Sequence, residues 1–363
     1  MADTTPIGNL QAPLRSISIA TPMKIAYIMY PEAMVSNATN GIRNQALGWQ
    51  RALKSRLQVD CLSPWNDIDW RQYDVVHFFG GMGWLNWAHR LKEVYGSTLV
   101  FSPILDSVVS PRKLKLLASL GFKGYHHAQN CYRRDLRIFD RIYVRSNYEG
   151  AYFTYSYGIA PEKIVKIPLS YEVEVGASDL SDSSPRKTFA LHISSLHHER
   201  KNVERLIKAA LRYGFDLKLG GPTGSPDQTR RLLELIDGAP NIELLGVVSL
   251  EQAKELYRQC GVFALPSLNE GVGLVALNAA AMGSPVVITS VGGPKEYYID
   301  SKGQPLASIV DPLDIDSIGR VISSRLFNPS TDLTLQSHIL DNYNPDITAA
   351  KLIDSYVNLR KSS

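Results

Sequence analysis

Short apolar runs of strand length recur along the chain, with helix-like stretches between them. The first lies at 24–30, and further runs at 59–62, 74–79, 98–104 and 141–144 predict strands. A loop over 31–40 leads from the first run into a helix predicted from Gly41 through Leu53. Near Pro168 the alternation stops. Residues 172–187 are rich in Ser, Asp, Gly and Pro and read as a linker. The pattern then restarts, with strands expected at 188–193, 216–219, 242–245, 262–265 and 285–288. Helices fit 202–213, 227–236, 250–259 and 274–282, and a last one fits 346–359.

Strands alternating with helices imply a parallel, doubly wound sheet. Two such stretches in a chain of 363 residues match two domains of about 150 residues each. The expected fold is therefore α/β, with Rossmann-like domains over 23–171 and 188–340 facing an interdomain cleft. The helix within 341–363 is expected to pack back on the first domain. Residues 1–22, rich in Thr, Ser, Pro and Ala, read as a flexible leader. Open α/β sheets bind ligands at the carboxyl ends of their strands, so the cleft is where a ligand is expected.

A hydrophobic fraction of 44% and a charged fraction of 20% suit an ordinary globular protein with a large core. No apolar run approaches the roughly 20 residues needed to span a bilayer, and no signal-type block occurs, so a cytoplasmic location is expected. The three cysteines, Cys61, Cys131 and Cys260, lie far apart without metal-ligand spacing and read as reduced thiols. Charge changes the picture at one place. Residues 112–145 carry nine Lys and Arg against Asp135 and Asp140, beside Leu114, Leu116, Leu117 and Leu120. Such a stretch suits an anionic membrane at the inner face or an anionic acceptor, and equally a solvated helix face.

The most informative segment is 263–287. A buried strand ends at Pro266, a loop carries Glu270 ahead of Gly271, Val272 and Gly273, and a helix starts near Leu274. Glycines there admit close approach of a ligand to the backbone and φ values closed to other residues. The helix start adds unpaired N–H groups and the positive end of a dipole, which together suit a diphosphate. Glu270 is placed to accept hydrogen bonds from sugar hydroxyls. Asn278 lies one turn into the helix, facing either the cleft or the helix–sheet interface. Arg200 and Lys201 stand at the start of another helix, where cations oppose the dipole unless an anion joins them. They suit the developing charge of a phosphate leaving group, or else point to solvent. The adjacent pair His197 and His198 lacks a carboxylate at metal-site spacing, and no metal is expected. Glycine turns at 220–224 and 292–296 are candidate cleft linings. The 80–83 turn fails the dinucleotide pattern.

These residues resemble the retaining glycosyltransferases of family 4, which have the GT-B fold. The likeness runs from Thr188 to about Pro312 through Arg200-Lys201-Asn202, Leu265-Pro-Ser, Glu270-Gly-Val-Gly-Leu and Gly292-Gly293 with Glu296. It extends more weakly to Gly41-Ile-Arg43 and 142–146. It implies a nucleotide-sugar donor whose diphosphate is held by Arg200, Lys201 and the loop 271–274, with Ser195 and Gly41 also at the donor. No metal or other cofactor and no nucleic acid is implied. Glu270 matches the first carboxylate of a Glu-x7-Glu pair, which touches the donor sugar. Asn278 stands where the second, ribose-binding carboxylate occurs, Ser194-Ser-Leu196 where an arginine is common, and Leu105-Asp106 where a cleft histidine is common, a role left vacant or filled by Asp106, His126 or His127.

The expected activity is retaining transfer of a sugar to a glycan or lipid-linked acceptor, in polysaccharide or glycoconjugate synthesis. The alternatives are a catalytically degenerate nucleotide-sugar-binding or assembly partner, and a nucleotide-sugar epimerase.

Overall fold

Two six-stranded parallel sheets organise the computed structural model, which describes residues 23–35, 40–63, 67–104, 109–122, 125–180 and 185–362. The expected leader, 1–22, and Asp106 lie outside the described residues. The first sheet contains β1 (Lys24–Met29), β2 (Gln58–Cys61), β3 (Val75–Phe79), β4 (Leu99–Ser102), β7 (Arg141–Val144) and β8 (Ile164–Lys166), ordered β2-β1-β3-β4-β7-β8. Two-residue strands β5 (Gly121–Phe122) and β6 (Tyr125–His126) pair as a separate antiparallel hairpin. The second sheet contains β9 (Phe189–Ile193), β10 (Asp216–Gly220), β11 (Ile242–Gly246), β12 (Val262–Leu265), β13 (Val286–Thr289) and β14 (Ser308–Val310), ordered β11-β10-β9-β12-β13-β14.

In the second sheet the strand order reverses between β9 and β12. Loops leaving these two strands diverge, and the crevice between them is where doubly wound sheets bind ligands. Their contents are the 194–202 and 266–273 segments singled out in the sequence. Strands β3, β4 and β12 are buried at every position, as befits a parallel sheet covered by helices on both faces. Strands β8 and β14 have three residues each and are only partly buried, so they lack the apolar run that marked the others.

The described parts of the linker segment, 172–180 and 185–187, pack against the second domain. They hold a short helix, Ala177–Leu180, whose buried Asp179 pairs with Lys254 at 3.3 Å and with Arg258. Buried Arg186 donates to the carbonyls of Tyr257 and Met282, each at 2.8 Å. The final helix, Pro345–Ser362, returns to the first sheet. There the Tyr356 hydroxyl meets His77 Nδ1 at 2.7 Å and the Tyr27 hydroxyl at 3.1 Å, all fully buried. Among the described residues no helix is long and apolar enough to cross a membrane.

Candidate functional site

Arg200 and Lys201 reach the crevice because Asn202 bends the chain behind them. Its backbone is left-handed, with φ 60°, which Asn tolerates better than most residues. Its side-chain amide donates to the carbonyls of Pro266 (2.8 Å) and Pro312 (2.6 Å). One buried amide thereby ties the turn after β9 to the ends of β12 and β14. The Arg200 carbonyl also accepts from the Leu268 N–H at 2.8 Å.

On the facing loop, Glu270 is 5% exposed. Its carboxylate lies 2.7 Å from Lys201 Nζ and 3.3 Å from the Arg200 guanidinium, and accepts from the Ser267 hydroxyl at 3.1 Å. Arg200 also donates to the Asn269 carbonyl at 3.1 Å. The structure therefore brings together the three charged residues that the sequence singled out on separate loops. A buried carboxylate without those cations would be costly to desolvate. The arrangement brings one guanidinium and one ammonium group to Glu270, just ahead of the Gly271–Gly273 loop that opens the helix Leu274–Ala281.

Gly273 caps that helix with φ +83°, and a Cβ there would stand 2.8 Å from a Leu265 methyl. Gly271 has no positive φ, so the expectation of special backbone freedom holds at Gly273 alone of this pair. Gly271, Val272 and Gly273 are buried, and Leu274 is half-buried. The 292–296 turn joins the same site. Gly293 N–H donates to the Glu270 carbonyl at 3.0 Å, so the turn continues the loop's backbone framework.

Beneath the charged cluster lies His192, which sequence reading passed over. It is wholly buried, with Nδ1 against the Ala264 carbonyl (2.7 Å) and Nε2 against the Ser194 hydroxyl (2.7 Å). The carbonyl can only accept, so Nδ1 carries the proton and Nε2 accepts from Ser194. Burial, reinforced by Lys201, lowers its pKa to about 4, while the Ala264 carbonyl and Glu270 oppose the shift. An interior polar residue in an apolar strand was the available signal.

Asn278 takes the interface alternative. It is 4% exposed, and its side-chain oxygen accepts from the Glu172 N–H at 2.7 Å. Ser195 is half-buried in the turn after β9, where its carbonyl accepts from the His198 N–H. Gly41 starts the helix Gly41–Leu53 in the first domain and is exposed. Among the described residues no group of three or more His, Cys, Asp and Glu is arranged to hold a metal.

The domains meet directly beside the cluster. The Glu296 carboxylate accepts from the backbone N–H groups of Asn147 (2.8 Å) and Tyr148 (2.7 Å), the first residues of the helix Asn147–Tyr157. Lys166 Nζ completes its contacts at 2.8 Å. Next to this contact opens a cavity of about 830 Å³, lined by Ser110 and Tyr148 from one domain and by His198, Arg200, Asn269 and Asp311 from the other. It is wide enough for a ligand of drug size or larger, and Arg200 connects it to the Glu270 cluster.

Residues 187–326 match the family described as glycosyl transferases group 1. A D-inositol 3-phosphate glycosyltransferase of Kineococcus radiotolerans is 38% identical over 257 residues, 63% of this chain and 57% of that protein. An uncharacterized glycosyltransferase of Methanocaldococcus jannaschii is 28% identical over 198 residues, 52% of this chain and 50% of its own. The chain thus spans about half the length of these curated relatives. Among solved structures, sucrose-phosphate synthase from Thermosynechococcus elongatus superposes with a TM-score of 0.71 at 16% identity, covering 94% of this chain and all of the other. Anabaena HepE in complex with UDP and glucose gives 0.69 at 15% identity, covering 93% and 100%. These likenesses show the GT-B fold, two Rossmann-like domains around a cleft. The second domain thus matches the glycosyl transferases group 1 family, and the fold of the chain is that of GT-B proteins.

Proposed function

We propose that this chain transfers a sugar from a nucleotide-sugar donor to a glycan or lipid-linked acceptor, with retention at the anomeric carbon, as a family 4 enzyme of polysaccharide or glycoconjugate synthesis. The observation that carries this reading is Glu270 held between Lys201 and Arg200 at the mouth of the Gly271–Gly273 loop. A donor diphosphate would lie across the start of the helix Leu274–Ala281, where backbone N–H groups and the dipole favour an anion. As the bond from the anomeric carbon to the diphosphate breaks, the departing phosphate takes the electron pair. Lys201 and Arg200 are near enough to share that charge, and this proposal assigns them the part that a metal would otherwise play. Glu270, held rigid by them, accepts from donor sugar hydroxyls. HepE, whose structures contain UDP and UDP-glucose, shares the fold and supports this donor class.

Asn278 favours one second reading, a nucleotide-sugar-binding partner without turnover. Its side-chain oxygen is occupied by the linker, where the family pattern has a ribose-binding carboxylate. Release of nucleoside diphosphate from a panel of donors, with UDP-glucose included, separates the two. Turnover lost in Glu270→Gln and Lys201→Ala supports transfer. Binding without release, unchanged in Glu270→Gln, selects the partner reading. No binding and no release for any donor overturns both.

A further inference from the structure

Of the nine basic residues in 112–145, the structure sorts those whose charge is answered from those whose charge is not. Arg145 is buried against Glu149 at 2.9 Å, and Arg134 meets Asp135 at 3.1 Å. Arg112, Lys115 and Arg133 have no carboxylate partner among the described residues, and they converge on one open groove of about 720 Å³. No acid lines it. Arg133 is fixed there by its Nε, which donates to the Tyr157 carbonyl at 3.1 Å. Lys115 sits over the Tyr155 ring, 4.6 Å from its centre. The same face displays apolar side chains that the core does not claim. Leu116 is 62% exposed, Tyr155 46% and Leu120 44%, whereas Leu114 of the same helix is buried.

We infer that this face, made by the helix Pro111–Ser119 and the end of the helix Asn147–Tyr157, docks on a bilayer of anionic phospholipid. Phosphate groups would enter the groove between Arg112, Lys115 and Arg133, while Leu116, Leu120 and Tyr155 enter the interfacial layer. Charge and exposed apolar area act together in such binding, each basic residue adding attraction that salt screens. A soluble acid offers nothing to the leucines, and a neutral bilayer offers nothing to the cations. The placement also has a use. Residues Ser110 and Pro111, which open the first helix, line the interdomain cavity. A helix of nine residues is roughly 13 Å long, so the bilayer surface would lie within about that distance of the cleft. An acceptor anchored in the membrane would then present its polar end to the site. This deepens the transfer reading above, and rests on it for the acceptor alone.

Vesicles of phosphatidylcholine, with and without a third of phosphatidylglycerol, test the inference by co-sedimentation of the full chain. Binding is expected only with the anionic lipid at low salt, and is expected to weaken at least tenfold at high salt. The triple variant Arg112→Gln/Lys115→Gln/Arg133→Gln should lose at least tenfold in partitioning. Leu116→Asp/Leu120→Asp should lose binding while keeping every cation. A UDP-induced thermal shift equal to that of the native chain shows that each variant is folded. Equal binding to both vesicle types, or full binding by the folded triple variant, overturns the inference. So does loss of vesicle binding to competing inorganic polyphosphate with the leucine variant binding as well as the native chain. Failure of UDP to bind the native chain, with lipid binding intact, would instead remove the transfer reading and leave the docking face standing.

Discussion

The side-chain oxygen of Asn278 accepts a hydrogen bond from the backbone N–H of Glu172 at 2.7 Å. One residue lies in the helix that opens at the glycine loop, and the other begins the segment joining the two domains. Glu172 is itself half-buried, with burial raising its carboxyl pKa and Arg51, at 3.7 Å, partly offsetting that. A neutral amide at 278 accepts the hydrogen bond without adding a second charge to this interior. A carboxylate there would have Glu172 as its neighbour.

Asn278→Asp keeps an acceptor of the same size and adds a charge. The expected cost is about 1–3 kcal/mol at pH 7, from desolvation and repulsion. The penalty should shrink at pH 5, because protonation of the new carboxyl removes the charge. Urea unfolding at the two pH values measures this. Equal stability of variant and native chain at pH 7 would mean that 278 faces water.

Gly293 separates two rigid neighbours. A Cβ there would stand 2.2 Å from the Gly271 carbonyl oxygen and 2.7 Å from the Ser146 hydroxyl. Its φ of −83° is open to any residue, so only the close approach demands glycine. Gly293→Ala must push the glycine loop or the opposite domain away. A loss of about 1–3 kcal/mol is expected, as for overpacking generally, with UDP affinity at least tenfold weaker by calorimetry. Gly303→Ala, where a Cβ meets no neighbour but φ is +78°, should cost stability through backbone strain and leave UDP affinity unchanged.

Glu296 fastens the second domain to the first by placing its carboxylate on two backbone N–H groups at a helix start, where negative charge is favoured. Glu296→Gln retains one acceptor oxygen and loses both the charge and the Lys166 pair. The cleft should open more often, raising the radius of gyration by small-angle scattering, with a stability loss of about 1 kcal/mol. UDP-glucose should restore the compact form if the donor bridges the domains. An unchanged scattering curve would show that other interface contacts hold the domains alone.

Much of this was legible in the sequence because parallel strands buried on both faces leave apolar runs, and turns after them leave glycines. That is how β9 and β12 and their loops could be read, with Arg200, Lys201 and Glu270 on them. What could not be read was pairing across the chain. Nothing local says that Asn202 reaches Pro266 and Pro312, that Glu296 caps a helix of the other domain, or that Asn278 turns to the linker. Side-chain hydrogen bonds between distant segments leave no period and no spacing. The basic stretch 112–145 shows the same limit: its charge was plain, but only the fold separates buried Arg145 from Arg112, Lys115 and Arg133.

His192 makes stability depend on pH in a definite sense. Its folded-state pKa is about 4, against an ordinary 6.5. Between these values the unfolded chain binds a proton that the folded chain refuses, so stability falls as pH falls from 6.5 through about 4 and then levels off. The full shift corresponds to about 3 kcal/mol. His77, also buried with its pKa lowered by desolvation, acts in the same direction. His192→Asn removes one of these contributions, so its unfolding free energy should be flatter than that of the native chain over that window, whatever its value at pH 7. Urea titrations at intervals from pH 7 to pH 4 provide the comparison, and parallel curves would mean that the His192 ring titrates in the fold as it does in the unfolded chain. The neutral ring has a consequence for the site. Near pH 7, His192 adds no positive charge beneath Lys201, so the cationic character of the cluster rests on Lys201 and Arg200.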